Sequence, residues 1–183
     1  MTRNRILLVT AILSLIMFYI VKVIAVDDSQ AIHKAFRSIQ LSNASIVHIE
    51  YLEDRMAIAF YESSFAEQQY FGSAIFKENI FTGWRLLSSG GGQLLPDHKL
   101  DWGFSNMSGY SSVYTDLING KVLDPHINKV KVITETGNEY EAKVVDYHTG
   151  AKLWFLLSKG EDLVGSTIIG LNDEGETIEE FVQ

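Results

Sequence analysis

Four stretches of the chain hold residue types that could do chemistry. Asp97, His98 and Asp101 fall in one loop beside Pro96, where an imidazole between carboxylates could activate a water molecule; carboxylates from the last hairpins would complete a hydrolytic site. His48 and Glu50 share one face of an alternating run and offer two metal ligands. No third ligand stands at a fitting spacing, and the five histidines at 33, 48, 98, 126 and 148 never form the i, i+4 pair of a helical zinc motif, so a solvated strand face is expected. Asn172-Asp173-Glu174-Gly175-Glu176 is acidic enough for calcium but lacks the spaced Asp-x-Asp-x-Asp-Gly ligands, and its glycine suits a hairpin turn. Gly90-Gly91-Gly92 could cradle a phosphate only with a helix N-terminus behind it; Gln93-Leu94-Leu95-Pro96 supplies none, and the run reads as a strand-terminating turn.

Serine chemistry has no better support. There is no Gly-x-Ser-x-Gly elbow, and Ser88, Ser89, Ser111 and Ser112 sit where hydroxyls commonly satisfy the backbone. Glu139 and Glu141 alternate with Tyr140 and Ala142 as solvating groups of a half-exposed sheet. No catalytic residue, metal ligand or cofactor is therefore assigned. The binding candidates are Trp102, Phe104 and Tyr110, aromatics in and after a long loop, where recognition residues concentrate; their competing role is to cover the protein's own core.

These residues must be held by a mainly β scaffold. Ala31, Ile32, Ala35, Phe36 and Ile39 recur at helical spacing, with His33, Lys34, Arg37 and Gln40 opposite, which predicts one amphipathic helix over 29–41 capped by Ser29. From Ser45 the period changes to two: Val47, Ile49 and Tyr51, then Met56, Ile58 and Phe60, predict paired strands. Further strands are expected over 70–76 and 81–87, then a packed connection over 93–108. Strand-like runs at 110–118, 129–135, 139–147, 151–157, 165–171 and 177–182 follow, separated by Asn119-Gly120, Gly137-Asn138, Thr149-Gly150, Lys159-Gly160 and Asp173-Glu174-Gly175. The expected fold class is α+β, mainly β: one N-terminal transmembrane helix, a short amphipathic helix, then antiparallel sheets forming a sandwich or open barrel. The domain reading is an anchor at 1–26, the amphipathic helix at 27–43 and a β-rich domain at 44–183, with 44–92 and 109–183 as candidate subdomains.

The transmembrane expectation rests on residues 6–26, an apolar run broken only by Thr10, Ser14 and Lys22. As a helix it would reach roughly 31 Å, about the thickness of the hydrocarbon layer. Arg3 and Arg5 before it predict a cytoplasmic N-terminus with everything after Val26 outside. The alternative is a secretory signal cut after Ala25, but the run is longer than an ordinary signal core and Lys22 sits at the handover to the cleavage site. Three of the 15 Lys and Arg fall in residues 1–26 and all 23 Asp and Glu fall beyond, so the exterior part carries a net charge of about −11. Phosphate repulsion makes nucleic acid an unfit partner for such a body. With no cysteine, disulfides, thiolate metal sites and lipid attachment through cysteine are excluded.

A short basic start and apolar anchor, a β-rich stretch ending in Gly83-Trp84 and Gly90-Gly91-Gly92, then Ile127, Val130, Val132, Trp154-Phe155 and Asp173-Glu174-Gly175, together give a loose pattern over nearly the whole chain. On these features the chain resembles the small, membrane-anchored, uncharacterised extracytoplasmic proteins of Bacillus-type Gram-positive bacteria. The resemblance implies a location and a β-rich exterior and brings no activity. The expected function is a non-enzymatic, membrane-anchored binding or accessory module acting on a protein partner or envelope component, with the bilayer held through residues 6–26. The alternative is a cell-envelope hydrolase using Asp97, His98, Asp101 and the hairpin carboxylates.

Overall fold

The computed structural model describes residues 13–14, 27–39, 41, 43–148 and 150–182. The predicted membrane span at 6–26 and the alternative cleavage position near Ala25 lie, apart from residues 13–14, outside this set. No helix among the described residues is long and apolar enough to cross a membrane.

Among the described residues, helix α1 (Asp28–Phe36) and a 3-10 turn at Arg37–Ile39 precede twelve strands. Asp27 rather than Ser29 caps α1, its carboxylate accepting the Ser29 N–H at 3.0 Å. The strands form three antiparallel sheets of four. The first is β1 (Ser45–Leu52), β2 (Met56–Phe65), β3 (Gln68–Asn79) and β4 (Gly83–Gln93), a meander in chain order. The second runs β5 (Gly103–Asn106), β6 (Asp116–Val122), β10 (Ala151–Leu157), β9 (Lys143–Tyr147). The third runs β12 (Thr177–Val182), β11 (Thr167–Leu171), β7 (Lys129–Ile133), β8 (Glu139–Glu141). Mainly β architecture with antiparallel pairing is therefore as the alternating pattern predicts.

Side-chain alternation dictates how these pieces stack. Along β2, Met56, Ile58 and Phe60 point one way and meet Phe71, Ile75, Leu117, Leu153 and Phe155, filling the space between the first and second sheets. Ala57, Ala59 and Tyr61 point the other way; the small size of the two alanines lets Ile32 and Phe36 of α1 sit close on the first sheet, where Phe36 packs on the Tyr61 ring. The second sheet is buried on both faces: Ile118 and Trp154 pack with Val130, Val132 and Ile168 of the third. The molecule is thus a stack of helix and three sheets, with β2, β6 and β10 shielded on both sides.

Several expectations about strands change, beginning with the run 110–118, which is strand only from Asp116 as β6, and the connection 93–108, which contains β5. The run 139–147 is two strands: β8 pairs with β7 in the third sheet, the Ala142 N–H donates to the Val130 carbonyl at 2.8 Å, and β9 then pairs with β10 in the second. Asn119-Gly120 is no turn but the middle of β6, because the backbone of Asp101 and the Trp154 indole cross directly over Gly120, where a Cβ would collide with the Asp101 carbonyl. Gly90-Gly91-Gly92 does not end a strand either. It pairs with Ser73, Gly72 and Phe71 inside β4, since Tyr61 lies across Gly72 and Gly91 and donates its hydroxyl to the Gly90 carbonyl at 3.2 Å.

Candidate functional site

The first and second sheets overlie one another so that β1 meets β9 along one margin and β4 meets β5 along the other. The β1/β9 margin is filled. Lys143 donates to both Glu50 oxygens at 2.8 Å, His48 Nε2 lies 3.1 Å from the same carboxylate, and the His48 ring stacks on Phe60. The face carrying His48 and Glu50 therefore looks onto the second sheet and not to solvent, and its polar groups are spent on each other.

The β4/β5 margin is open. A crevice of about 220 Å³ runs between the glycines of β4 and residues 101–105, floored by Phe71, Ser73 and Asn119. Alternation again explains it. Gly91 and Gly72 turn towards Tyr61, where no Cβ fits, whereas Gly90 and Gly92 turn towards the second sheet and have open space where a side chain would be. A strand that needs glycine on one face for close packing thus leaves a gap on the other.

The crevice is lined by polar groups on a rigid frame. Ser73 and Asn119, 4% and 5% exposed, lie between the sheets and line the crevice; among the described residues the buried side-chain atom left without a hydrogen-bond partner is Ser166 Oγ, outside it. Asp101 is clamped through its backbone: its N–H donates to the Lys121 carbonyl at 2.8 Å and its carbonyl accepts the Trp154 indole N–H at 2.9 Å. Burial pushes the Asp101 carboxyl up to about 6, against the opposing pull of the Trp102 and Lys121 backbone N–H groups and of nearby His98 and Lys121. A carboxyl so placed changes between donor and acceptor in mildly acidic solution.

Trp102 and Phe104 both line this crevice while most of each ring packs against the core between the second and third sheets. Tyr110 is elsewhere, exposed in a turn whose N–H donates to the Met107 carbonyl at 2.9 Å. Of the hydrolase candidates, only Asp101 reaches the crevice. Asp97 is exposed, and His98 stacks on Phe181 of β12 with ring centroids 5.3 Å apart. One hairpin carboxylate does meet the loop: Glu179 accepts the N–H groups of Lys99 and Leu100, at 2.6 and 2.5 Å, and so ties the loop to the third sheet. Glu139 is paired with Lys131 at 2.9 Å. Among the described residues no group of three or more His, Asp or Glu is placed to hold a metal ion. No known family model, curated protein or solved structure matches the chain.

Sequence reasoning missed Ser73, Asn119 and the glycine face of β4. The signal was present, since Ser88-Ser89-Gly90-Gly91-Gly92-Gln93 follows a strand without a proline, but glycine composition alone argues for a turn.

Proposed function

We propose that the chain is a membrane-anchored extracytoplasmic binding or accessory module, non-enzymatic, held by residues 6–26 with its β-rich body outside the membrane, in keeping with the envelope proteins it resembles. The β4/β5 crevice is its binding site. The observation that carries this is the crevice itself, an open margin between two sheets onto which the rigidly held polar residues Ser73 and Asn119 face. Polar groups fixed at an open margin can exchange bound water for a ligand's hydrogen-bonding groups. With Ser105, the Asp101 carboxyl and walls from Phe71, Trp102 and Phe104, the crevice suits an uncharged hydroxyl- or amide-bearing group about the size of one sugar unit or one side chain, presented by an envelope polymer or partner protein.

The test exploits the open space over Gly90 and Gly92. A Cβ at Gly92 meets no atom within 4 Å, so Gly92→Val narrows the crevice from an uncrowded root and suits a strand, keeping the fold. Full-length protein, extracted after brief in-cell crosslinking, should carry a stoichiometric adduct with its own or an unrelated anchor, and lose it in Gly92→Val. Turnover of a substrate by the purified full-length chain that vanishes in Asp101→Asn would overturn the non-enzymatic reading. Digestion of the β body by protease added to cell-wall-stripped cells is expected from the topology, and full protection would contradict it.

A further inference from the structure

The entry point of the anchor fixes which end of the body faces the membrane. Residue 27, directly after the apolar stretch, caps α1, and Asp28 accepts the Trp84 indole N–H at 3.0 Å at the start of β4. Tyr51 closes on the same indole edge-on, 6.2 Å between centroids. The chain therefore joins the body beside the β3–β4 hairpin. That hairpin overshoots its neighbours: β2 begins at Met56, opposite Lys77, while β3 runs on to Asn79 and the turn carries Ile80 and Phe81. At roughly 3.3 Å per residue, the tip stands about 10 Å beyond the end of β2.

The tip is built for an apolar surrounding. Ile80 and Phe81 are 51% and 77% exposed, adjacent, and without a packing partner in any core cluster. Behind them, the Asn79 side chain accepts the backbone N–H groups of Phe81 at 2.9 Å and Thr82 at 3.2 Å, so donors that water would otherwise satisfy are tied up internally. One step further back stand Trp84 and Tyr51, the residue types that settle at the headgroup level.

We propose that the β3–β4 hairpin tip, through Ile80 and Phe81, is a second membrane contact seated in the outer layer of the same bilayer that residues 6–26 cross. This rests on the anchor reading above. Two contacts fix the body's orientation, where a lone span would leave it free to rotate, and α1 lies along the first sheet leading away from the surface. Asp28 and Glu78 border Trp84 at the base of the tip and are balanced by Lys77 and Arg85, register partners one step further back, so the contact is apolar, insensitive to salt and without need of anionic lipid.

The absence of cysteine makes the test direct. Full-length single-cysteine variants Ile16→Cys, Ile80→Cys, Phe81→Cys and Phe65→Cys are labelled with an environment-sensitive fluorophore and reconstituted in phosphatidylcholine vesicles carrying a quencher either near the headgroup or at the acyl-chain end. Phe65 is the control: it is 70% exposed at the end of β2, paired with Gln68 at the opposite end of β3 from the tip. The expected result is loss of most emission at position 16 to the deep quencher, at 80 and 81 to the shallow one, and none at 65, unchanged by salt. Quenching at 16 with 80 and 81 as bright as 65 overturns the second contact and leaves the anchor standing; the tip is then a protein-facing surface. No quenching at 16 overturns the anchor and the proposal with it. Quenching at 65 equal to that at 81 overturns the orientation.

Discussion

The two margins of the sandwich between the first and second sheets are made from the same materials and end in opposite states. At β1/β9, long side chains reach across: Lys143, Glu50 and His48 satisfy one another, and the Lys143 ammonium lies over the Phe155 ring, 5.4 Å from its centroid. At β4/β5, Gly90 and Gly92 face the second sheet with no side chain to bridge the gap, and Ser73 and Asn119 line what is left open. The closed margin spends its polarity internally, and the open one leaves polar groups facing a crevice. On the proposed reading, this β-sandwich builds its binding site by subtraction, without a catalytic-looking motif.

The comparison can be broken most severely at the closed margin. Phe155, 4% exposed, stacks on Phe60 with centroids 5.0 Å apart, so Phe155→Ala should cost about 3–5 kcal/mol in denaturant unfolding. A cost below about 1 kcal/mol would mean that the two sheets do not share this core. Next comes the glycine ladder. Gly72→Ala forces a Cβ against the Gly90 carbonyl and the Tyr61 ring and should destabilise by about 1–3 kcal/mol, whereas Gly90→Val, facing open space, should be neutral or stabilising. Equal costs at the two positions would deny the alternation on which the crevice depends.

Asp101 gives a smaller effect with a definite sign. Its carboxyl titrates near 6 when folded and near 3.8 when not, so the folded state holds the proton more tightly, and the group's contribution to stability is full below pH 3.8 and is lost as pH rises through 6. Asp101→Asn should remove that loss. Relative to the parent, the variant should gain about 1 kcal/mol between pH 4 and pH 7, after allowance for solvent screening. A parent-minus-variant difference that is flat with pH would show an ordinary exposed carboxylate. Smallest is Lys143→Met: its partly exposed ion pair with Glu50 should be worth under about 1 kcal/mol and fade in high salt.

Much of the scaffold was legible because the β period is local. The runs over 151–157 and 177–182 coincide with β10 and β12, and the helical spacing of Ile32 and Phe36 marks the buried face of α1. What was not legible depends on neighbours distant in sequence. Gly120 is a strand residue because Trp154 and Asp101 pass over it, and Gly91 because Tyr61 does; nothing within either local window says so. Ala142 marks a change of sheet within an unbroken alternating run, since alternation reports which face is buried and not which sheet the strand has joined. The candidate site shows the same limit: Trp102, Phe104 and Asp101 could be singled out as residue types, but Ser73 and Asn119 become partners only when the first and second sheets are stacked.

The most direct test of the account places a photo-activated crosslinking residue at one margin or the other of the full-length protein in its membrane. Ser105, at the mouth of the crevice, is compared with Lys143, at the closed margin. The account predicts an adduct from position 105 that disappears when Gly92→Val is added, and none from position 143. An adduct from 143 alone, or one from 105 that survives the narrowed crevice, would contradict it.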